Sequence, residues 1–269
     1  MPAPRRSLWR RLALAAAALI AAAAVAVAAL WAGLPDVGDL ATRMPRSTSL
    51  IEQRRTEARR AGRRYLPEML PVPMERISPR LAQAVVLSED AGFWVHGPFD
   101  WREMREALER NLATRRYARG ASTITQQLAK NLYLGTDKTI SRKIREAVLA
   151  VKLEREIPKR RILAIYLNVV EWGDGLFGAE AAARARFGRS AADLTTAQAV
   201  LLASMLPAPR RCDLDAPSAW LKRRSRRLLD RMREVGRIDA DEHARAAAEL
   251  ERLLAGASPA DDSDEPPVD

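Results

Sequence analysis

The sequence predicts an all-α protein, with one helix long enough to cross a membrane ahead of a helical globular domain. Three observations predict it. Residues Leu12 to Leu34 carry no charge; beyond them apolar residues recur at three- and four-residue spacing between helix start and stop signals; and no alternating strand pattern competes. With 269 residues, 48% of them hydrophobic, the chain can bury one real core plus appendages. The 45 Lys+Arg against 34 Asp+Glu give +11, which favours an anionic partner: phosphate, lipid headgroup or nucleic acid. Cys212 is the single cysteine, so an intrachain disulfide and a multi-Cys metal site are excluded, and His96 and His243 are too few for a His-rich metal cage.

Residues 1–11 are a basic N-terminus, with Arg5, Arg6, Arg10 and Arg11 before the uncharged run. Residues 12–34, at 1.5 Å rise per residue, just span a hydrocarbon core of ~30 Å. Trp9 and Trp31 lie near the ends, and Asp36 and Asp39 follow, so the basic end is expected in the cytoplasm and the rest outside it. A cleaved signal peptide is the alternative, although the run exceeds a usual h-region. An exported domain meets membrane surface rather than genome, so no nucleic-acid partner is expected.

Residues 35–77 form a basic, Pro-punctuated connector with an amphipathic candidate at Leu50 to Tyr65, either resting an Arg-rich face on anionic headgroups or lying in solvent. Ser78 then Pro79 reads as an N-cap with proline at the first helical position, starting a helix through Leu87 and Glu89. Thr123 with Gln126 reads as a capping box. Further helices are expected from Lys159 to Val170, stopped by Gly173 and Gly175; from Thr195 to Leu206, stopped by Pro207; and from Pro217 to Val235, stopped by Gly236. A last one runs from Asp239 to Leu254, so that 78–220 forms the core and 221–256 a C-terminal helical part. The acidic tail, 257–269, has too little apolar surface to fold.

Two carboxylates stand out. Leu81, Val85 and Glu89 share one helical face, so Glu89 extends an apolar stripe. Desolvation there would raise its pKa toward that of a general acid or base; alternatively Glu89 and Asp90 merely end a helix and point into water. In the segment from Ser141 to Asn168, Ile144, Val148 and Val151 define one apolar face, and Glu146, Ala150 and Leu153 lie nearly opposite, so this helix is expected to pack on two sides. Arg142 stands one turn before Glu146. That pair is either an ordinary i,i+4 ion pair or part of a basic wall with Lys138 and Lys143 that holds an anionic leaving group.

Four segments occur in the order and spacing of one family: EDAGFWVHGPFD at 89–100, RGASTITQQLAKNL at 119–132, RKIREAVLAVKLE at 142–154 and ILAIYLNVVEWGDGLFGAEAAA at 162–183. From about residue 42 to 220 the chain resembles the bacterial peptidoglycan glycosyltransferases, most closely the monofunctional biosynthetic type. The resemblance implies a lysozyme-like catalytic domain with a smaller membrane-facing lobe, acting outside the cytoplasmic (inner) membrane. It implies inverting polymerisation of lipid II into glycan strands, with release of undecaprenyl pyrophosphate. By motif position, Glu89 is the general base and Glu146 the second glutamate, near the donor pyrophosphate. Lys130, Lys138, Arg142 and Lys143 match the basic positions around that group; Ser122, Thr123, Gln127 and Asn131 match site-lining positions. Asp90, Phe93, His96 and Asp100 match positions that shape the first motif. The implied partners are lipid II, the growing strand, the bilayer, and other cell-wall synthesis or division proteins as candidates. No cofactor is required, and a divalent cation such as Mg²⁺ is left open, with no dedicated cage in the sequence.

Pro98, Lys138, Pro158, Arg186 and Gln198 depart from the family pattern without touching either glutamate. A lysozyme-like lytic enzyme would also use one glutamate but has no need of cations around a pyrophosphate. A bifunctional synthase would carry a Ser-x-x-Lys with a following Lys-Thr-Gly, which is absent here. A membrane-tethered scaffold remains as the non-enzyme alternative.

Overall fold

The computed structural model describes residues 5–114, 122–137 and 139–255. The expected acidic tail at 257–269, and Lys138, lie outside the described residues. Helix α1 (Arg5–Gly33) contains the 25-residue span Trp9–Gly33, whose most apolar stretch has a mean hydropathy of 2.5, so it is long and apolar enough to cross a bilayer. Its Leu19 and Ile20 are exposed.

Helix α2 (Ser49–Arg60) starts where Thr48 Oγ1 accepts the Ile51 N–H at 3.1 Å. It stops five residues short of the expected Tyr65, and it does not lie free: Leu50 and Ile51 are buried with Phe177, and Arg54 is turned inward to donate to Glu171 at 2.8 Å. Helices α3 (Pro79–Glu89), α4 (Trp101–Thr114), α5 (Ile124–Tyr133), α6 (Ile140–Glu156) and α7 (Lys159–Val169) follow. After them come α8 (Ala179–Phe187), α9 (Thr196–Met205), α10 (Ala219–Glu234) and α11 (Ala240–Leu253). The sequence reading assigns neither α4 nor α8.

The core lies where α3 and α10 pack on α9, and where α5 packs on α6 and α7. Every residue of α9 from Ala197 to Met205 is buried, so this short apolar helix is the centre of the domain rather than a face of it. Two expectations about helix faces and ends are corrected. On α6 only the Glu146, Leu149, Ala150, Leu153 face is buried, whereas Ile140 and Ile144 are exposed; the helix packs on one side. Ser78 precedes α3 as expected, but its hydroxyl donates to the Leu194 carbonyl at 3.4 Å instead of capping, because Pro79 already removes one unpaired N–H. The family departure at Gln198 is absorbed by a capping box with Thr195.

A small sheet also interrupts the all-helical expectation: β1 (Glu68–Met69) pairs parallel with β3 (Leu176–Phe177), which pairs antiparallel with β2 (Glu171–Gly173). Strands of two or three residues are too short to show a period. The sheet is locked by Asn168, fully buried at the end of α7, whose Oδ1 accepts the Val72 N–H at 2.8 Å while Nδ2 donates to the Val72 carbonyl at 3.0 Å. Gly178, with φ +85°, passes so close that a Cβ there would lie 2.4 Å from the Asn168 carbonyl oxygen. Left-handed backbone and steric contact therefore both demand glycine. Gly178→Ala is expected to cost about 2 kcal/mol or more, lowering the thermal midpoint by roughly 2–4 °C per kcal/mol in a detergent-solubilised thermal scan. An unchanged midpoint would refute the constraint.

Candidate active site

The last turn of α3 delivers Glu89 to the surface of the core, and the next residue, Asp90, caps the helix and turns the chain. Asp90 is buried. Its Oδ2 accepts the Ile124 N–H, at the start of α5, at 2.9 Å, and its Oδ1 lies 2.6 Å from His96 Nε2. Burial pushes the Asp90 carboxyl pKa upward, against the pull of the Ile124 N–H and of His96. His96 Nδ1 in turn contacts the Gly97 carbonyl at 2.6 Å, and Asp100 Oδ1 accepts the Glu103 N–H at 2.9 Å at the start of α4. Phe93 is fully buried with the Lys159 ammonium 4.5 Å from its ring centre. The four residues expected to shape the first motif thus pin one loop to two helix starts.

Asp90, His96 and Asp100 also offer three metal-ligating atoms within 4.8 Å of one another. Each side chain has its other polar atom committed to backbone, and the Asp90–His96 contact already closes the centre; this is the chemistry of a hydrogen-bonded clasp, and nothing further is built on it. Thr123 is buried too. Its hydroxyl accepts the Gln126 N–H at 3.2 Å and donates to the Pro98 carbonyl at 2.9 Å, so the departure at Pro98 keeps a usable carbonyl at this joint.

From α5, Gln127 Nε2 donates to Glu89 Oε2 at 3.2 Å. The Gln127 Oε1 accepts at 2.9 Å from the hydroxyl of Tyr166, a fully buried residue of α7 whose pKa burial drives well above the usual phenol value, leaving it a neutral donor. On the other side, Arg224 of α10 donates to Ser88 Oγ at 2.7 Å and to Glu89 Oε1 at 3.3 Å. Glu89 is therefore held by groups from α5 and α10. The sequence reading missed Ser88, Tyr166 and Arg224. Tyr166 looks like a core residue in an apolar helix, and Arg224 is one of a run of arginines with no local tie to Glu89.

Glu146 sits in different company. It is 3% exposed, its Oε2 accepts from Arg142 Nη1 at 2.6 Å, and its Oε1 accepts from the Lys143 ammonium. The i,i+4 ion pair is thus present, with its carboxylate buried. Lys143 also reaches Ser122 Oγ at 3.4 Å, and Thr139 caps α6 by accepting the Arg142 N–H at 3.2 Å. Asn131 is buried one turn after Gln127. Lys130, on the same helix, feels the charges of both Glu146 and Glu89. Burial lowers its ammonium pKa; Arg142 and Lys143 push the same way, whereas the two glutamates oppose it. Seven of the expected residues therefore line one region (Glu89, Gln127, Lys130, Arg142, Lys143, Glu146 and Ser122), bounded by Thr123 and Asn131, with a polar cavity of about 140 Å³ opening beside Glu89, Asp100 and Ser122.

A family model described as Transglycosylase matches residues 58–233, from within α2 to the last turn of α10. Curated proteins called biosynthetic peptidoglycan transglycosylase are similar to this chain. One from Nitrosospira multiformis is 44% identical over 188 residues, 70% of this chain and 82% of that protein. One from Chromobacterium violaceum is 48% identical over 164 residues, 61% of this chain and 72% of that protein. One from Nitrosomonas europaea is 52% identical over 161 residues, 60% and 66% respectively.

Lys130 yields a stability prediction with a worked sign. Its folded pKa lies below the unfolded value of 10.5, so the unfolded chain binds more protons between the two values and stability rises with pH across that window. Lys130→Met removes the desolvated charge and is expected to raise stability at neutral pH by about 1 kcal/mol, and to abolish that alkaline gain. Thermal scans at neutral and alkaline pH check both; a variant less stable than its parent at neutral pH would contradict the assignment.

Proposed function

Since the chain belongs to the transglycosylase family, we propose that it builds peptidoglycan glycan strands by polymerising lipid II, a disaccharide-pentapeptide carried on undecaprenyl pyrophosphate. The observation that carries this reading is the contrast between its two glutamates. Glu89 is oriented by an amide and a guanidinium from two other helices, and Glu146 is clamped by two cations of its own helix.

In the proposed step, the acceptor GlcNAc 4-hydroxyl attacks the anomeric carbon of the donor MurNAc. The bond from that carbon to the pyrophosphate oxygen breaks with inversion, and the hydroxyl proton passes to Glu89. Gln127 and Arg224, one on each carboxylate oxygen, fix the plane in which Glu89 meets the hydroxyl, a matter of orientation worth several kcal/mol of barrier when the geometry is right. The electron pair leaves with undecaprenyl pyrophosphate, whose growing charge is stabilised by Lys130, Arg142 and Lys143, with Lys138 as a further candidate. Glu146 keeps Arg142 and Lys143 in place, because without its counter-charge these two cations would repel one another and Lys130. Ser122, Thr123 and Asn131 complete the wall of the site. No resident metal is required in this scheme; a divalent cation would enter with the pyrophosphate as its counter-ion.

Helix α1 is proposed to anchor the chain in the inner membrane, with the basic N-terminus cytoplasmic and the catalytic domain outside. Supporting this, α6 joins the two ends of the problem. Near its C-terminus Lys152 donates to the Pro35 carbonyl at 2.8 Å and Arg155 lies 5.4 Å from the Trp31 ring, just after and within α1. At its N-terminal half sit Arg142, Lys143 and Glu146, with Ile140 and Ile144 turned outward. A substrate whose lipid stays in the bilayer needs its phosphate site within reach of the headgroups, and one rigid helix supplies that link.

Glu89→Gln keeps the side-chain shape and removes the base, so polymerisation of labelled lipid II in detergent is expected to fall at least ~100-fold with unchanged circular dichroism. Glycan chains of normal yield from that variant would remove Glu89 from the reaction. A protein that released fragments from finished glycan instead of lengthening it would be a lytic enzyme.

A further inference from the structure

A cavity of about 540 Å³ opens on the flank of α3 next to the face that carries Glu89. Ala82 and Val86 of α3 and Leu163 of α7, all buried, form its floor, and Trp94 and Val235, both half-exposed, stand at its mouth. Trp94 is held there by an edge-on contact of its ring with Phe93 at 4.9 Å. Small-ligand sites are concave, largely apolar and about 300–1,000 Å³ in volume, and this one fits that description. Its rim is cationic. Arg160, Arg231 and Arg237 line it; Arg160 is paired with Glu75, whereas among the described residues the side chains of Arg231 and Arg237 have no acid partner.

The cavity continues the Glu89 cleft, because Leu87, Ala91 and Arg231 line both it and the polar cavity beside Glu89. Its occupant can therefore be part of a molecule whose reacting end lies at Glu89. A lipid chain gains nothing from two unpaired guanidiniums, and a pyrophosphate gains nothing from a floor of alanine, valine and leucine. A short peptide ending in a carboxylate uses both. Gln83, whose amide oxygen accepts from Arg80 at 3.1 Å, keeps its amide N–H groups for peptide carbonyls. Distance agrees: Gln83 precedes Glu89 by six residues, about 9 Å along α3, and five residues of extended chain reach up to roughly 17 Å.

We propose that this cavity is a subsite for the peptide branch of lipid II, taking the terminal carboxylate at Arg231 and Arg237 and the apolar atoms on the floor of Ala82, Val86 and Leu163. The protein then reads the peptide as well as the sugars of its substrate. The kinetic side of this assignment rests on the proposed polymerisation; the affinity for a peptide carboxylate does not.

The test uses the full chain in detergent beside two variants at exposed positions of the rim, Arg237→Glu and Val235→Glu, with circular dichroism as the check on folding. The parent is expected to show a KM about tenfold lower for lipid II than for the same lipid-linked disaccharide without its peptide, and that ratio is expected to fall to about two or less in either variant. The free pentapeptide of lipid II, followed by ligand-observed nuclear magnetic resonance, is expected to bind the parent with a Kd on the order of millimolar. Binding is expected to weaken with added salt, to weaken when the terminal carboxylate is an amide, and to be lost in Arg237→Glu. Equal KM values for the two substrates in the parent, or a ratio that survives in both variants, overturn the subsite. Peptide that does not bind, or binds parent and Arg237→Glu alike, overturns the placement at this rim. If the peptide binds as described while no form lengthens either substrate, the peptide site stands and the proposed reaction falls.

Discussion

The carboxylate of Asp90 sets the geometry on which the cleft depends. A carboxylate at a helix start usually satisfies an unpaired N–H and the local dipole, a contribution of about 0.5–2 kcal/mol. Here its position in the chain matters more than its energy. Asp90 directly follows Glu89, and Ile124 opens the helix that carries Gln127 and Lys130, so the 2.9 Å bond between Asp90 and the Ile124 N–H fixes how far the end of α3 stands from the start of α5. Gln127, one turn further on, then meets Glu89 without either side chain having to search for the other. His96 and Asp100 extend the same joint to α4, and the Thr123 hydroxyl closes it from the α5 side through Pro98. Burial favours the neutral form of Asp90, and the N–H of Ile124 and the imidazole of His96 pull the other way, toward the charged form.

Two carboxylates in one cleft are proposed to perform different work, because their neighbours differ in origin. Glu146 is saturated by Arg142 and Lys143 from its own helix, so its geometry is local and its charge is spent on cations. Glu89 is held from outside its helix, by Gln127 on α5 and by Arg224 on α10, which suits it to the proton transfer proposed for it. Lys130 is the cost of the arrangement. An ammonium buried beside two other cations opposes folding, and the glutamates offset only part of that. That opposition to folding is consistent with the phosphate-binding role proposed for Lys130.

Local features of the fold were legible in the sequence and distant ones were not. The Thr123 and Gln126 capping box, the helix from Lys159, the stop before Gly236 and the membrane-length run all depend on residues within a few positions of one another, and all appear as expected, with ends shifted by one to three residues. The three-stranded sheet was invisible because its strands are too short to carry a period, and β1 joins β3 only across about a hundred residues. On α6, periodicity showed two apolar faces and led to the expectation that both are packed, whereas the core takes only one. The buried face is the one containing Glu146, because two basic neighbours make a buried carboxylate tolerable there.

The site divides along the same line. Glu89, Gln127, Lys130, Arg142, Lys143 and Glu146 could be named from ordered motifs, each of which is local. Arg224 could not, since it meets Glu89 across 135 positions of sequence and sits among arginines that composition alone would assign to solvent. What distinguishes it is the company of Trp220, Leu221 and Leu228: an arginine partly covered at the edge of an amphipathic helix's apolar face is best served by an acid from inside the domain. The missing acid had to be a carboxylate at the edge of the core. Glu89, ending an apolar stripe with no cation near it in sequence, was the matching half of the same omission.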